Sequence, residues 1–263
     1  MDNRIICSAN NYTRAEAISK LNSLEWFANS KKEIQDELVN LPESFEGFLN
    51  DLCDRPEKFV DFEILEMEDV SINEHFAHVV FKVKSLFNNK IGQKVYTGWK
   101  KGTYHSLRGI ILLETDNQIS HFILRRCTRF AISREIEEAM GSIYPPKSFG
   151  DEQFGAIAYV EQQFAQQMRI PSFNFSKYFD LGFIYPDPAM SDNVVGLFAA
   201  LINDMNVEII KTYIDGKRYD DKGYSFSYSI KPISELLSFL ADTNDGFLLS
   251  IFGRLQALNV IKL

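Results

Sequence analysis

A chain of 263 residues, 45% hydrophobic and 24% charged, is long enough to bury a substantial core, and it lacks the roughly 20-residue apolar run that a membrane-spanning helix requires. A net charge of -8 works against general nucleic-acid binding, because affinity for a phosphate backbone comes chiefly from clustered Lys and Arg. Cys7, Cys53 and Cys127 are far apart and show neither zinc-chelating nor disulfide-framework spacing, so they read as reduced packing residues. The first residues, MDNRIICSANNYTRAEA, carry no basic segment followed by an apolar core. The expectation is a cytoplasmic protein.

Residues 12 to 54 have apolar residues at helical spacing in AEAISKLNSLEWFA and IQDELVNLPESFEGFLNDLC, with a break at Pro42 and a new start at Ser44. Pro56 closes this region. From Phe59 the pattern alternates in VDFEILEM and HFAHVVFKVKSLF, which is strand chemistry. RGIILLET and SHFILRRCTRF, joined by a turn at Asp116 and Asn117, predict a hairpin of central strands. After a loop marked by Pro145, Pro146 and Gly150, DEQFGAIAYVEQQFAQQM predicts an amphipathic helix. Strand-like YFDLGFIY, a loop PDPAMSDN and strand-like VVGLFAALI follow. A charged turn around Asp215 and Gly216 then leads to a final helical stretch from Ile233 to about Leu258. This order is mixed α/β without a βαβ repeat, and it contains neither a G-x-G-x-x-G nor a P-loop lysine motif.

Taken in order, residues 108 to 258 resemble the Nudix hydrolases, in particular the branch that cleaves ADP-ribose and other nucleoside-diphosphate sugars. RGIILLE and HFILRRCTRF look like that branch's strand pair, with Arg126 and Arg129 on the two arginines of its L-V-R-Q-Y-R run. YPDPAMSDN, residues 185 to 193, looks like its Y-P-S-P-G-x-S-D-E loop, and Gly182 stands just before it. ISELLSFLADTNDGFLLSIFGRLQAL resembles its closing helix. The resemblance implies an α/β/α sandwich with a mixed sheet over residues 59–263, including N-terminal strands. A helical extension over residues 1–58 precedes it.

The Nudix box, G-x5-E-x7-R-E-U-x-E-E-x-G-U, has two placements. REIEEAMG keeps Arg134, Glu135, Glu138 and Gly141 but has Ala139 for a glutamate, and the preceding strand leaves no room for the first half of the box. QQFAQQMRI, at the right distance from YPDPAMSDN, puts Gln163, Gln166 and Gln167 where three glutamates belong, Gln162 on the arginine and Arg169 on the glycine. At i, i+3 and i+4 these side chains converge on one helix face. In the family the carboxylates hold Mg²⁺, which polarises the pyrophosphate and activates water. Three neutral amides remove the charge that a hard cation favours, so the expectation is no metal and no cofactor, with Mg²⁺ entering only if other acids have taken over. From spacing alone, the same glutamines are a solvated helix face.

Ligand candidates are Arg126 and Arg129, with Arg125 beside them, and Asp187, Ser191 and Asp192 of the loop. Guanidinium groups match phosphate oxygens, although surface arginines also simply pair with acids. Asn193 stands where the family loop has a glutamate. His75, His78, His105 and His121 lack metal spacing and read as packing or surface residues.

Three functions remain open. The first is a non-hydrolytic protein binding an ADP-ribose-like or nucleotide-sugar ligand as a sensor or accessory subunit. The second is an enzyme, either a pyrophosphatase recruiting metal through Asp151, Glu152, Glu161 or acids of the N-terminal region, or a metal-independent nucleotide-sugar lyase. The third is an interaction module with a vestigial pocket. The expected partner is a nucleotide or nucleotide-sugar ligand, with neither nucleic acid nor membrane, and the resemblance further implies residues 59 to 87 as a candidate segment for pairing with a second copy of the chain.

Overall fold

In the computed structural model, the structure describes residues 12–53, 62–73, 78–87, 89–99, 105–129, 134–144, 153–168, 175–184, 186, 195–202, 207–214, 217–221 and 224–261. They form two compact units, one of residues 1–105 with 185–194 and the other of residues 106–184 with 195–263.

The first unit begins with helices α1 (Arg14–Leu21), α2 (Glu25–Asn29), α3 (Lys32–Val39) and α4 (Glu46–Cys53). Thr13 and Glu16 cap α1 reciprocally, each satisfying a donor at the helix start. A short 3-10 turn, Glu43–Phe45, follows Pro42, where the sequence predicts the break. Strands β1 (Phe62–Asn73), β2 (His78–Phe87) and β3 (Lys90–Trp99) form an antiparallel sheet.

Alternation gives the sheet one apolar face. Met67, Val79, Phe81 and Val83 pack with Trp26, Phe27, Leu38 and Phe48 of the helices in one core. The Ser30 hydroxyl donates to the Trp26 carbonyl at 2.7 Å and accepts from Met67 N at 2.8 Å, tying α2 to β1. The other face carries Lys84–Glu66 and Lys82–Glu68 ion pairs. The boundary expected near residue 58 falls inside this unit, because helices and strands share that core.

The second unit is built on β4 (His105–Thr115) and β5 (Gln118–Arg129), the predicted hairpin. Asp116 and Asn117 both have positive φ, 53° and 59°, the left-handed pair that a two-residue hairpin turn requires. β5 pairs antiparallel with β11 (Tyr224–Pro232), which pairs with β10 (Arg218–Asp221). β4 pairs in parallel with β9 (Val195–Ile202), and β8 (Lys177–Ile184) closes that edge.

Both faces of this sheet are covered, which explains the continuous apolar runs. Ile111, Leu113 and Ile123 point toward α5 (Gln153–Met168) and α6 (Val207–Ile214). Ile110, Leu112, Phe122 and Leu124 point toward α7 (Leu236–Asp242) and α8 (Gly246–Ala257). The result is a mixed α/β fold, as the element order predicts, with helices on both faces of the sheet. Among the described residues, no helix is long and apolar enough to cross a membrane.

The sheet opens where β4 and β5 part. Their direct pairing runs from Thr115↔Gln118 to Ile111↔Ile123. Beyond it, β6 (Arg134–Glu138) pairs with β5 from Arg125↔Glu138 to Arg129↔Arg134, and β7 (Met140–Tyr144) pairs with β4. Ala139, buried and outside both strands, marks the crossing.

Candidate functional site

Side-chain alternation along β5 decides where its arginines go. Arg125, Cys127 and Arg129 share the face of Ile123, toward α5. Arg126 shares the face of Leu124, toward α7 and α8. The two arginines that the family motif singles out, Arg126 and Arg129, are three residues apart on a strand, so they occupy opposite faces.

On the α5 face the register sets Glu138 against Arg125. Arg125 donates from Nε at 2.8 Å and from Nη2 at 2.5 Å to Glu138 Oε1. Arg129 donates from Nε to Oε2 at 2.8 Å and from Nη2 to Oε1 at 2.6 Å. The Cys127 thiol lies 3.3 Å from Oε1. Arg108, from β4, stands 3.9 Å from the same oxygen.

Burial alone would raise the pKa of Glu138, but the Arg129 hydrogen bond and the charges of Arg125, Arg108 and Arg129 outweigh it and hold the carboxyl below its ordinary range. Burial pushes the Cys127 thiol up, and the neighbouring Glu138 charge adds to that shift. Burial pulls Arg108 down, against the Glu138 charge and with the repulsion of Arg125 and Arg129. In Arg129 the bond to Glu138 wins over burial and the pKa rises. Three guanidinium groups thus meet one carboxylate. The next acid, Asp245, accepts from Ala139 N at 2.7 Å and Phe247 N at 2.8 Å.

On the other face Arg126 donates to Glu137 Oε1 at 2.7 Å, and Lys231 is 3.0 Å from Oε2. Burial raises the Glu137 pKa, yet the bonds from Arg126 and Lys231 lower it overall. This is a closed ion-pair network. Beside it, a pocket of about 260 Å³ lies between β6 and the turn joining α7 to α8, lined by Glu135, Glu137, Phe239, Asp242 and Asn244 among others.

Helix α5 carries the glutamines. Tyr159, Val160 and Phe164 form its buried stripe, Gln163 is half-buried beside that stripe, and Gln166 is exposed. Gln167 lies one residue further along the same helix. Phe164 contacts Tyr228, Tyr228 contacts Phe226, and the Arg125 guanidinium lies 6.0 Å from the Phe226 ring. The helix and the arginine cluster therefore lie on one side of the sheet. Glu161, next to the glutamines, accepts from Phe175 N at 2.7 Å, which holds the start of the segment leading to β8.

The alternative register, REIEEAMG, falls on an extended strand at Arg134–Glu138, whereas QQFAQQM falls on a helix. Asp187, Ser191 and Asp192 lie outside the described residues. Among the described residues, no three His, Cys, Asp or Glu side chains gather where a metal ion could sit.

The glutamate that organises the arginines was visible in the sequence only as part of a discarded motif. Arg108 carried no signal, because its approach to Glu138 depends on the parting of β4 and β5. Alternation on β5, by contrast, would have separated Arg126 from Arg125 and Arg129.

No family model matches the chain, and no curated protein matches it. Among solved structures, one described as the crystal structure of an ADP compounds hydrolase is similar over 78% of this chain and 100% of its own, with 13% identity and a TM-score of 0.49.

Proposed function

We propose that this chain binds a nucleotide of the ADP-ribose or nucleotide-sugar type through its diphosphate, without Mg²⁺-dependent hydrolysis, as a sensor or accessory subunit. The observation that carries this reading is that, among the described residues, two guanidinium groups, Arg125 and Arg129, share the single carboxylate of Glu138 on the sheet face that also carries the glutamine helix. Guanidinium forks pair bidentately with phosphate oxygens. Amides at Gln163 and Gln166 supply no negative charge for a hard cation. The motif resemblance to the Nudix hydrolases supports the choice of ligand class and places the same glutamines on the catalytic positions of the box. Arg125 and Arg129 are the anion-facing residues of this reading, and Arg126 drops out because it pairs with Glu137, which Lys231 also neutralises, on the opposite face.

Isothermal titration with ADP-ribose and a panel of nucleotide sugars, with and without Mg²⁺, tests it when products are followed by chromatography. The expected outcome is metal-independent binding with no product. Mg²⁺-dependent release of a nucleoside monophosphate would replace it with the enzyme reading, and no binding to any of the panel would favour an interaction module.

A further inference from the structure

Glu138 accepts two hydrogen bonds from each of Arg125 and Arg129 and none from Arg108. Arg125 and Arg129 donate four hydrogen bonds to its carboxylate between them, at 2.5–2.8 Å. Arg108 comes no nearer to it than 3.9 Å, and its one hydrogen bond among the described residues, to the Ala139 carbonyl, is 3.5 Å long, at the outer limit for such a bond. Its guanidinium also lies 5.4 Å from the Phe247 ring, and Asp245 adds a second, more distant negative charge.

A guanidinium carries five N–H donors, and most of those on Arg108 meet no acceptor among the described residues. Its side chain is nonetheless only 23% exposed. Holding an underpaired cation there is costly, because desolvated donors lose their water without gaining a partner. A Met or Leu would fill the space without that cost.

Position 141 is open for the arginine. A Cβ on Gly141 would stand 2.4 Å from Arg108 Cδ, 2.7 Å from Nη1 and 2.7 Å from the Leu107 carbonyl. The glycine thus leaves a passage through which the arginine stem reaches the parting of β4 and β5.

We propose that Arg108 is an anion-binding residue, its unspent N–H groups directed at a phosphoryl oxygen of a bound ligand, with Glu138 the internal carboxylate that fixes Arg125 and Arg129 beside it. This deepens the nucleotide reading, the anion being the ligand's diphosphate, and rests on that reading for the identity of the ligand only. The arginine geometry needs no nucleoside.

Inorganic pyrophosphate titrated into the full chain at constant ionic strength is the direct probe. Arg108→Met weakens binding by about tenfold or more, while Arg126→Met, whose guanidinium is held by Glu137, leaves it within about twofold. Gly141→Ala, which keeps the guanidinium but displaces its stem, also weakens binding. Without ligand, Arg108→Met melts at or above the wild-type temperature, since an underpaired cation has been removed. Unchanged pyrophosphate affinity in Arg108→Met, or no pyrophosphate binding by the wild type, would overturn the assignment, as would a lower melting temperature with affinity retained. Pyrophosphate binding through Arg108 without nucleotide binding would remove the nucleotide reading and leave this one. Nucleotide binding indifferent to Arg108→Met would do the reverse.

Discussion

Glu138 shows how a single carboxylate governs its surroundings. Its folded-state pKa is held below the ordinary value of 4.5, so its ionised form stabilises the fold at pH values above 4.5. That contribution is lost as the pH falls through the depressed folded-state value. Glu138→Gln removes the charge and leaves Arg108, Arg125 and Arg129 without their common partner, a change that in buried pairs costs about 3–5 kcal/mol. The variant is expected to be destabilised at neutral pH and to lose the component of acid sensitivity below 4.5 that the wild type shows. Urea denaturation at a series of pH values checks both, and an unchanged acid limb would show that Glu138 is not a principal titrating group. The charge excess on the α5 face was not legible from Arg126 and Arg129 alone. The missing fact was not which residues are present but which of them share a face.

Two small devices hold the elements around the cluster. Asp245 begins α8, accepting from Phe247 N, and also accepts from Ala139 N where β6 passes into β7. Asp245→Ala removes a helix cap and orphans a buried backbone donor, and it is expected to cost about 2–4 kcal/mol, read as a lower urea midpoint with an unchanged slope. In β8, the register shifts between Asp180 and Phe183, and Gly182 sits at φ 74°. Gly182 N donates to Asp180 Oδ1, and Arg254 of α8 donates to the carbonyls of Leu181 and Phe183.

Any side chain at 182 would be strained, and an added Cβ would lie 3.1 Å from Arg254 Nη1. Gly182→Ala is expected to cost about 1–2 kcal/mol, measured in the same way. The β4–β5 hairpin, α5 and the last helices were legible because each has a clear period or turn. β3, β6, β7, β10, β11 and α6 were not. β6 is the instructive case: Arg134, Glu135, Glu137 and Glu138 favour a helix by local propensity, and pairing with β5 overrides it.

Each unit has its own core, with Leu38, Phe48 and Phe81 in one and Ile111, Ile123 and Phe252 in the two layers of the other. Leu38 is fully buried. Leu38→Ala is expected to cost the first unit about 2–5 kcal/mol. Hydrogen exchange should show faster opening in β1 and β2, with protection of β4 and β9 retained. Equal loss in both would mean that the two cores unfold as one. Local periodicity by itself determined that the chain is mixed α/β, that its first third is helical before it is extended, and that a hairpin sits at Asp116 and Asn117, because these depend on neighbours a few residues apart. The tertiary structure alone decided that β1 and β2 join the helices rather than the larger sheet. It also decided that Arg108 meets Glu138 across 30 residues of sequence. Those outcomes depend on strand register and on the parting of β4 and β5, which arise only when distant segments compete for the same backbone hydrogen bonds.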